Sequence, residues 1–122
     1  MSHHALIVED DPAISLLMET LLVRHGIEIE TVVDGGAAIE RLKKKRYSVV
    51  VLDLMIPRVS GFDVIAFVKE NDLRIPIVVV SAASQRALAQ VDQDVVTVVL
   101  AKPFDVDEFV TAVVKLCESA ER

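Results

Sequence analysis

The sequence predicts an α/β domain in which a five-stranded parallel sheet is covered by five helices, packed on both faces. Two observations support this. Four short apolar runs are rich in β-branched residues and lack polar alternation, as is typical of strands buried on both faces. Helical patterns fill the intervals between the strands. Such strand–helix repetition with short links requires right-handed crossovers and therefore a parallel, doubly wound sheet.

The four apolar runs are predicted to form strands 1, 3, 4 and 5 of the sheet. In chain order they cover residues 5–8, 49–52, 77–80 and 95–100. A further segment, residues 27–33, alternates, because Glu28 and Glu30 are interleaved with apolar residues. Alternation of this kind is typical of an edge strand, which we expect in second position along the chain.

The first and last helices carry the clearest apolar stripes. The first is predicted to begin at Pro12, with Asp11 as its N-cap, and to end at Gly26. The last has Asp105 as its predicted N-cap. Their stripes are Ile14, Leu17, Met18, Leu21 and Leu22 in the first helix, and Val106, Phe109, Val110, Val113 and Cys117 in the last. Three further helices are predicted over residues 36–45, 61–71 and 84–92, the last of these being short.

Composition limits the class of protein. A chain of 122 residues fits one domain, which we predict over residues 1–122, with 118–122 as a tail or the start of a linker. The net charge of −6 argues against direct nucleic-acid binding and against an anionic membrane surface. No apolar run approaches the roughly 20 residues that span a bilayer. A single cysteine, Cys117, and the absence of a secretory leader favour the cytoplasm.

Polar side chains follow the predicted central strands. Glu9, Asp10 and Asp11 follow the first strand, and Asp53 follows the third. In doubly wound sheets ligands bind beyond the carboxyl ends of the strands. Neighbouring carboxylates repel by about 4 kcal/mol per pair at close range, so the cluster requires a positive partner. Oxygen ligands of this kind suit Mg²⁺.

Two further side chains complete a site for phosphoryl transfer. Ser81 ends the fourth strand, and its hydroxyl can reach a phosphate oxygen. Lys102 follows the fifth strand, and its ammonium can pair with Asp53 at rest and with a phosphate afterwards. Carboxylate nucleophile, metal, lysine and hydroxyl are the parts such chemistry requires. The sequence therefore predicts phosphoryl transfer to an aspartate.

Other polar residues are assigned structural roles. Asp11 is explained by helix capping and is only a secondary candidate for a metal ligand. The basic run at residues 41–46 is expected to be a solvated helix end that interacts with the helix dipole. His3 and His4 are expected in a frayed terminus without a function.

Four sequence motifs together resemble the receiver domain of two-component response regulators, over nearly the whole chain. They are Ile7-Val8-Glu9-Asp10-Asp11-Pro12, Val51-Leu52-Asp53-Leu54-Met55-Ile56-Pro57 with Gly61 following, Ser81-Ala82, and Lys102-Pro103-Phe104. Each motif alone is weak, but their order and their positions at strand ends make the combination specific. The resemblance implies the flavodoxin-like strand order 2-1-3-4-5.

The resemblance also implies roles for individual residues. Asp53 would be the phosphoacceptor, supplied by a phosphohistidine on a sensor histidine kinase or a histidine phosphotransfer protein. Glu9 and Asp10 would be the acidic pair for Mg²⁺, with Asp10 the direct ligand, and Met55 would add its backbone carbonyl. The bond from Lys102 to Pro103 would be cis.

The chain departs from the family pattern near the fifth strand. Val99 occupies the position, three residues before Lys102, where receivers carry a Tyr or Phe that couples the site to the surface. A Gly-Ala turn is also missing, and residues 91–95 stand in its place. We expect output through the face of the last two helices and fifth strand, with altered coupling. Val114 and Leu116 would extend its apolar surface, and activation would favour a homodimer or another output partner.

The residues two positions beyond Asp53 and Ser81 predict slow loss of the phosphoryl group. They are Met55 and Ala83, and neither side chain can orient an attacking water. As a separate expectation, the resemblance implies a phosphoacceptor signalling domain that assists its own phosphorylation and dephosphorylation and is not an enzyme in the usual sense.

Three other functions compete with the switch. A pseudo-receiver scaffold of the same fold, acting without phosphorylation, is motivated by Val99 and the unusual fourth-helix region, whereas the complete set of acids with Ser81 and Lys102 argues against it. A phosphatase of the haloacid-dehalogenase type would need a second aspartate where Met55 stands. A flavodoxin would need a loop after the first strand that accepts phosphate, whereas that loop is acidic.

Overall fold

A computed structural model describes residues 3–119. Its five strands form one parallel sheet in the order β2-β1-β3-β4-β5, as predicted. The strands are β1 (His3–Val8), β2 (Ile27–Val32), β3 (Val49–Leu52), β4 (Ile77–Ser81) and β5 (Val96–Ala101). The predicted strand bounds differ from these by at most two residues, and β2 does lie at an edge.

Five helices connect or follow the strands. They are α1 (Pro12–Val23), α2 (Gly35–Lys44), α3 (Gly61–Glu70), α4 (Gln85–Leu88) and α5 (Val106–Ser119). Asp11 caps α1 as predicted, since its carboxylate accepts hydrogen bonds from the Ala13 and Ile14 amides. Residues 118 and 119 continue α5, while the rest of the predicted tail, residues 120–122, lies outside the described residues. Within residues 3–119, no helix has the length and apolar character needed to cross a membrane.

The sheet is buried between two apolar layers. On one face α2 and α3 pack against Leu6, Val50 and Val79, and on the other α1 and α5 pack against Ile7 and Val51. These five side chains are at most 1 % exposed. The continuous apolar runs of the central strands therefore reflect burial on both faces.

Two predicted apolar contacts differ in the structure. Leu17 was assigned to the buried stripe of α1 but is 43 % exposed, because Met18 and Leu22 alone point fully into the core. Val114 and Leu116, expected to form a free apolar surface, are half-buried and pack against the core beneath α5. The exposed apolar side chains near that face are instead Val99 and Val106.

The helix predicted at residues 84–92 is a single turn, α4. Ser84 caps it through the Ala87 amide, but the chain then turns at Asp92, whose side chain accepts from the Asp94 amide. Asx turns of this type compete with helical hydrogen bonds. The Asp92 side chain also pairs with Lys69 of α3, at 2.5 Å, which ties the turn to the body of the domain.

The amino-terminal end of the sheet contradicts two predictions. His4 belongs to β1 and is half-buried, and the run at residues 41–46 is not simply solvated. Both contribute to a cluster around the Glu30 carboxylate. Its contacts are His4 Nε2 at 2.8 Å, Arg41 at 2.6 Å, Lys45 at 2.5 Å and the Tyr47 hydroxyl at 3.0 Å. The sequence spacing of these residues gives no signal for contacts made across the sheet edge.

These contacts predict an acid-sensitive contribution to stability. Chiefly through Lys45, they lower the pKa of Glu30 from 4.5 to about 2. A depressed carboxyl pKa stabilises the fold above pH 4.5, and this contribution is lost as the pH falls toward 2. We expect Glu30→Gln to lower the free energy of unfolding at pH 7, because it removes the paired carboxylate. The loss should be only about 1–2 kcal/mol, since solvent screens the half-exposed partners. The loss should vanish near pH 2.

Urea denaturation of both proteins across this pH range measures the effect. Glu28→Gln is the matched control, because Glu28 lies in the same strand, is exposed and has no ion pair among the described residues. Equal stability of Glu30→Gln and Glu28→Gln at pH 7 would contradict the assignment.

Candidate functional site

Backbone pairing carries the strand-end side chains to one edge of the sheet. The Asp53 amide donates to the Val8 carbonyl at 3.1 Å, which continues the β1–β3 ladder by one residue. The Lys102 amide donates to the Ser81 carbonyl at 2.9 Å, which does the same for β4 and β5. The structure therefore brings Glu9, Asp53, Ser81 and Lys102 to neighbouring strand ends.

Lys102 joins the two buried carboxylates. Its Nζ lies 2.6 Å from Glu9 Oε1 and 3.0 Å from Asp53 Oδ2. The side chains of Glu9 and Asp53 are 1 % and 6 % exposed, and that of Lys102 is 13 % exposed. Buried carboxylates are costly unless they are paired and hydrogen-bonded, so one ammonium compensates charges from two strands.

The two carboxylates differ in their tendency to ionise. Burial raises the pKa of Glu9, despite its hydrogen bonds to Lys102 and to the Asp11 amide. Burial alone would also raise the pKa of Asp53. Hydrogen bonds from the Ser81 hydroxyl, the Met55 amide and Lys102 outweigh burial and lower the pKa of Asp53. Asp53 is therefore the more readily ionised of the two carboxylates.

Lys102 is correspondingly held as a cation. Burial acts to lower the pKa of Lys102, but hydrogen bonds to Glu9 and Asp53 dominate and raise it. The group thus offers a fixed positive charge beside the Asp53 oxygen. Such a charge can stabilise negative charge that develops on an incoming group.

An oxygen-rich cluster beside Lys102 has the composition of a hard-cation site. Carboxylate oxygens of Glu9, Asp10 and Asp53 lie within 4.8 Å of one another. Asp10 is exposed and has no hydrogen-bond or ion-pair partner among residues 3–119, which leaves both its oxygens available. Asp11 lies outside this group, because its carboxylate caps α1. The donor set consists of oxygen alone, which fits Mg²⁺ rather than a softer metal.

The structure also locates the remaining predicted residues. The Met55 amide donates to Asp53 Oδ1 at 3.1 Å, while its side chain is 64 % exposed. The Ser81 hydroxyl accepts from the Ala83 amide at 3.2 Å, in addition to its hydrogen bond to Asp53. The Lys102–Pro103 peptide bond is cis. Val99 of β5 pairs with Val79 of β4 and is 39 % exposed.

Sequence reasoning missed a second set of residues behind the loop that follows Asp53. Asp34 is buried and accepts a hydrogen bond from Arg58, and the Gly35 amide donates to the Val59 carbonyl at 3.1 Å. The Gly35-Gly36 pair is the one signal for this corner in the sequence, and the helix predicted over residues 36–45 makes no use of Gly35.

Curated relatives of the chain are transcriptional regulatory proteins. DltR of Streptococcus agalactiae is 32 % identical over 113 residues, which are 88 % of this chain and 49 % of that protein. TcrA of Mycobacterium tuberculosis is 33 % identical over 108 residues, or 84 % of this chain and 41 % of that protein. The chain thus spans about half the length, or less, of these relatives.

Solved structures and a family model agree with the fold. The response regulator TrrA of Thermotoga maritima, solved in complex with Mg²⁺-BeF, superposes with a TM-score of 0.84 at 26 % identity. The alignment covers 93 % of this chain and 98 % of that one. The model of the response regulator receiver domain matches residues 5–114. The chain belongs to the receiver domain family of two-component response regulators.

Proposed function

We propose that the chain is a phosphorylation-dependent switch in which Asp53 accepts a phosphoryl group from a phosphohistidine. The observation that carries the proposal is the buried, ionised Asp53 carboxylate at the end of β3, in contact with Lys102 and beside two further acids. The donor would be a sensor histidine kinase or a histidine phosphotransfer protein. Family membership supports this class of donor.

The transfer requires little covalent chemistry from the protein. A carboxylate oxygen of Asp53 attacks the phosphorus, and the new O–P bond replaces the P–N bond, whose electron pair returns to the donor imidazole. Lys102 offsets the added negative charge, and the Ser81 hydroxyl binds a phosphate oxygen. Both groups already contact Asp53, so little reorganisation is needed.

The acidic cluster is proposed to hold Mg²⁺ during the transfer. Asp10, Asp53 and the Met55 backbone carbonyl would be its ligands, with Glu9 beside them. The cation would supply charge neutralisation between the carboxylates and the phosphoryl oxygens. The Mg²⁺-BeF complex of TrrA supports this choice of metal.

The proposal extends to the setting of the domain. Residues 1–122 would constitute one receiver domain, whose output lies in another segment or another protein. The transcriptional relatives, which are longer, support an output of that kind. We place the protein in the cytoplasm, without direct binding to nucleic acid or membrane. Phosphorylation would alter the binding surface for the output partner, through the face formed by α4, β5 and α5.

Mass spectrometry of intact protein tests the acceptor directly. Incubation with Mg²⁺ and a small acyl phosphate should add one phosphoryl group to the wild type and none to Asp53→Ala. Asp11→Ala is the matched control, because it removes a nearby carboxylate that only caps a helix, and it should still be modified.

The alternatives give different outcomes. An absence of any adduct with the wild type, also after exposure to a phosphohistidine donor, would favour the pseudo-receiver scaffold. Membership in the receiver family argues against a phosphatase of the haloacid-dehalogenase type and against a flavodoxin.

An adduct that persists in Asp53→Ala would contradict the assignment of Asp53.

The phosphoryl group should be long-lived. Neither Met55 nor Ala83 carries a side chain that can orient a water for attack on the phosphorus. We expect Met55→Asn to shorten the lifetime, because the new amide can hydrogen-bond that water, whereas Met55→Leu should not. Decay of the adduct after removal of the donor measures this. A wild-type half-life of seconds would contradict the prediction.

Activation should change self-association through the face around β5. Val99 and Val106 are 39 % and 41 % exposed there. We expect beryllofluoride with Mg²⁺ to shift the chain toward a dimer in sedimentation experiments, and Val99→Asp to prevent the shift. Val33→Asp, at the opposite edge of the sheet, is the control. An unchanged monomer, with no spectral change at the β5 face, would exclude this route.

A further inference from the structure

The loop between Asp53 and α3, residues 54–60, is held at its base by close backbone packing. The Gly61 amide donates to the Leu54 carbonyl at 3.1 Å. A Cβ on Gly61 would lie 2.6 Å from both the Asp53 carbonyl oxygen and the Leu54 Cα. The start of α3 therefore rests directly on the peptide that carries the acceptor.

The same loop is held at its far end by the corner between β2 and α2. The Gly35 amide donates to the Val59 carbonyl, and a Cβ on Gly35 would lie 2.0 Å from that oxygen. Because no real Cβ approaches a carbonyl oxygen so closely, any side chain at Gly35 would push residue 59 away. The position accepts only glycine if the loop keeps its present path.

A side-chain contact accompanies the backbone contact. Arg58 has a φ of +66°, a left-handed conformation that is uncommon for a residue with a Cβ. Its Nη1 lies 3.3 Å from Asp34 Oδ2, while Asp34 Oδ1 accepts from the Ala37 amide at 2.8 Å. The buried Asp34 carboxylate thus caps α2 and binds the loop at once. The Arg58 side chain is otherwise 81 % exposed, so Asp34 is its only ion-pair partner among residues 3–119.

The position of this loop affects the acceptor through Met55. Its amide donates to Asp53 Oδ1, so a displaced loop would rotate or release the carboxylate oxygen. Leu54 and Ile56 are buried in the core and fix one side of the loop. The far side of the loop is held by two other contacts. Arg58 pairs with Asp34, and the Val59 carbonyl accepts from the Gly35 amide.

We infer that Asp34 and Gly35 are positioning residues for the phosphoryl site, acting through the loop at residues 54–60. The inference rests on the proposed function, since it concerns the same acceptor and cation site. The β2–α2 corner sets the Met55 backbone relative to Asp53, and so sets the affinity for Mg²⁺ and the rate of phosphoryl uptake. No contact between the corner and the ligands is required.

Two adjacent glycines supply a matched test. Gly35→Ala should weaken Mg²⁺ binding and slow phosphoryl uptake from an acyl phosphate by about tenfold, since small misplacements of reacting groups have effects of this order. Gly36→Ala should match the wild type, because its Cβ would meet no heavy atom closer than 3.4 Å. Mg²⁺ titration of the isotope-labelled full chain, followed at the Asp53 and Met55 amide signals, measures affinity independently of phosphorylation.

Arg58 supplies a second test, in which Gly35 is left unchanged. Arg58→Ala should weaken Mg²⁺ binding by about two- to fivefold, in line with an ion pair whose arginine is largely exposed, and Arg58→Lys should restore it. Thermal unfolding identifies any variant that fails to fold. If Gly35→Ala fails to fold, the Mg²⁺ affinities of Arg58→Ala and Arg58→Lys decide whether the corner has a positioning role.

The outcomes separate this inference from the proposed function. Wild-type affinity in folded Gly35→Ala and in Arg58→Ala would overturn the inference alone. Failure of the wild type to bind Mg²⁺ or to form an adduct at Asp53 would overturn the proposed function first. Weakened binding in Gly35→Ala beside normal binding in Gly36→Ala would support the positioning role.

Discussion

The ion pairs of Lys102 with Glu9 and Asp53 are the contacts on which the rest of the site depends. Apolar strands carry both carboxylates to the buried edge of the sheet, where an unpaired charge would oppose folding. One ammonium from beyond β5 offsets both, and thereby connects β1, β3 and β5 at their carboxyl ends. The same contact keeps Asp53 ionised, because it helps to lower the pKa of that carboxyl. The same ion pairs thus compensate the buried charges and favour the ionised form of the proposed nucleophile.

The sequence predicts this arrangement well because each part has a local signal. Continuous apolar runs indicate buried parallel strands, and the polar residue directly after each run must lie at the ligand-binding edge. Contacts without local periodicity were not predictable. The Glu30 cluster joins residues from three elements, and Asp34 meets Arg58 only because the β2–α2 corner folds against the loop after β3. Leu17 shows a related limit, since it follows the helical spacing but is 43 % exposed, whereas Met18 and Leu22 are buried.

The region beyond β4 is where the chain departs furthest from the family pattern. With α4 reduced to a single turn, the outer strand β5 keeps Thr97 and Val99 exposed. A valine lacks the large ring that would connect the phosphoryl site to this surface. The proposed acceptor Asp53 and the proposed output face therefore lack the aromatic side chain that joins them in the family pattern. Asp92, four residues beyond α4, pairs with Lys69 of α3 and holds the segment after α4 to the body of the domain.

The central claim is that Asp53, and not a neighbouring acid, carries the phosphoryl group. Borohydride reduction distinguishes these directly, because it converts an aspartyl phosphate to homoserine and leaves free carboxylates intact. Peptide mass spectrometry of phosphorylated and then reduced protein should place homoserine at position 53 alone. Homoserine at Asp10 or Asp11, or none after complete phosphorylation, would contradict the account.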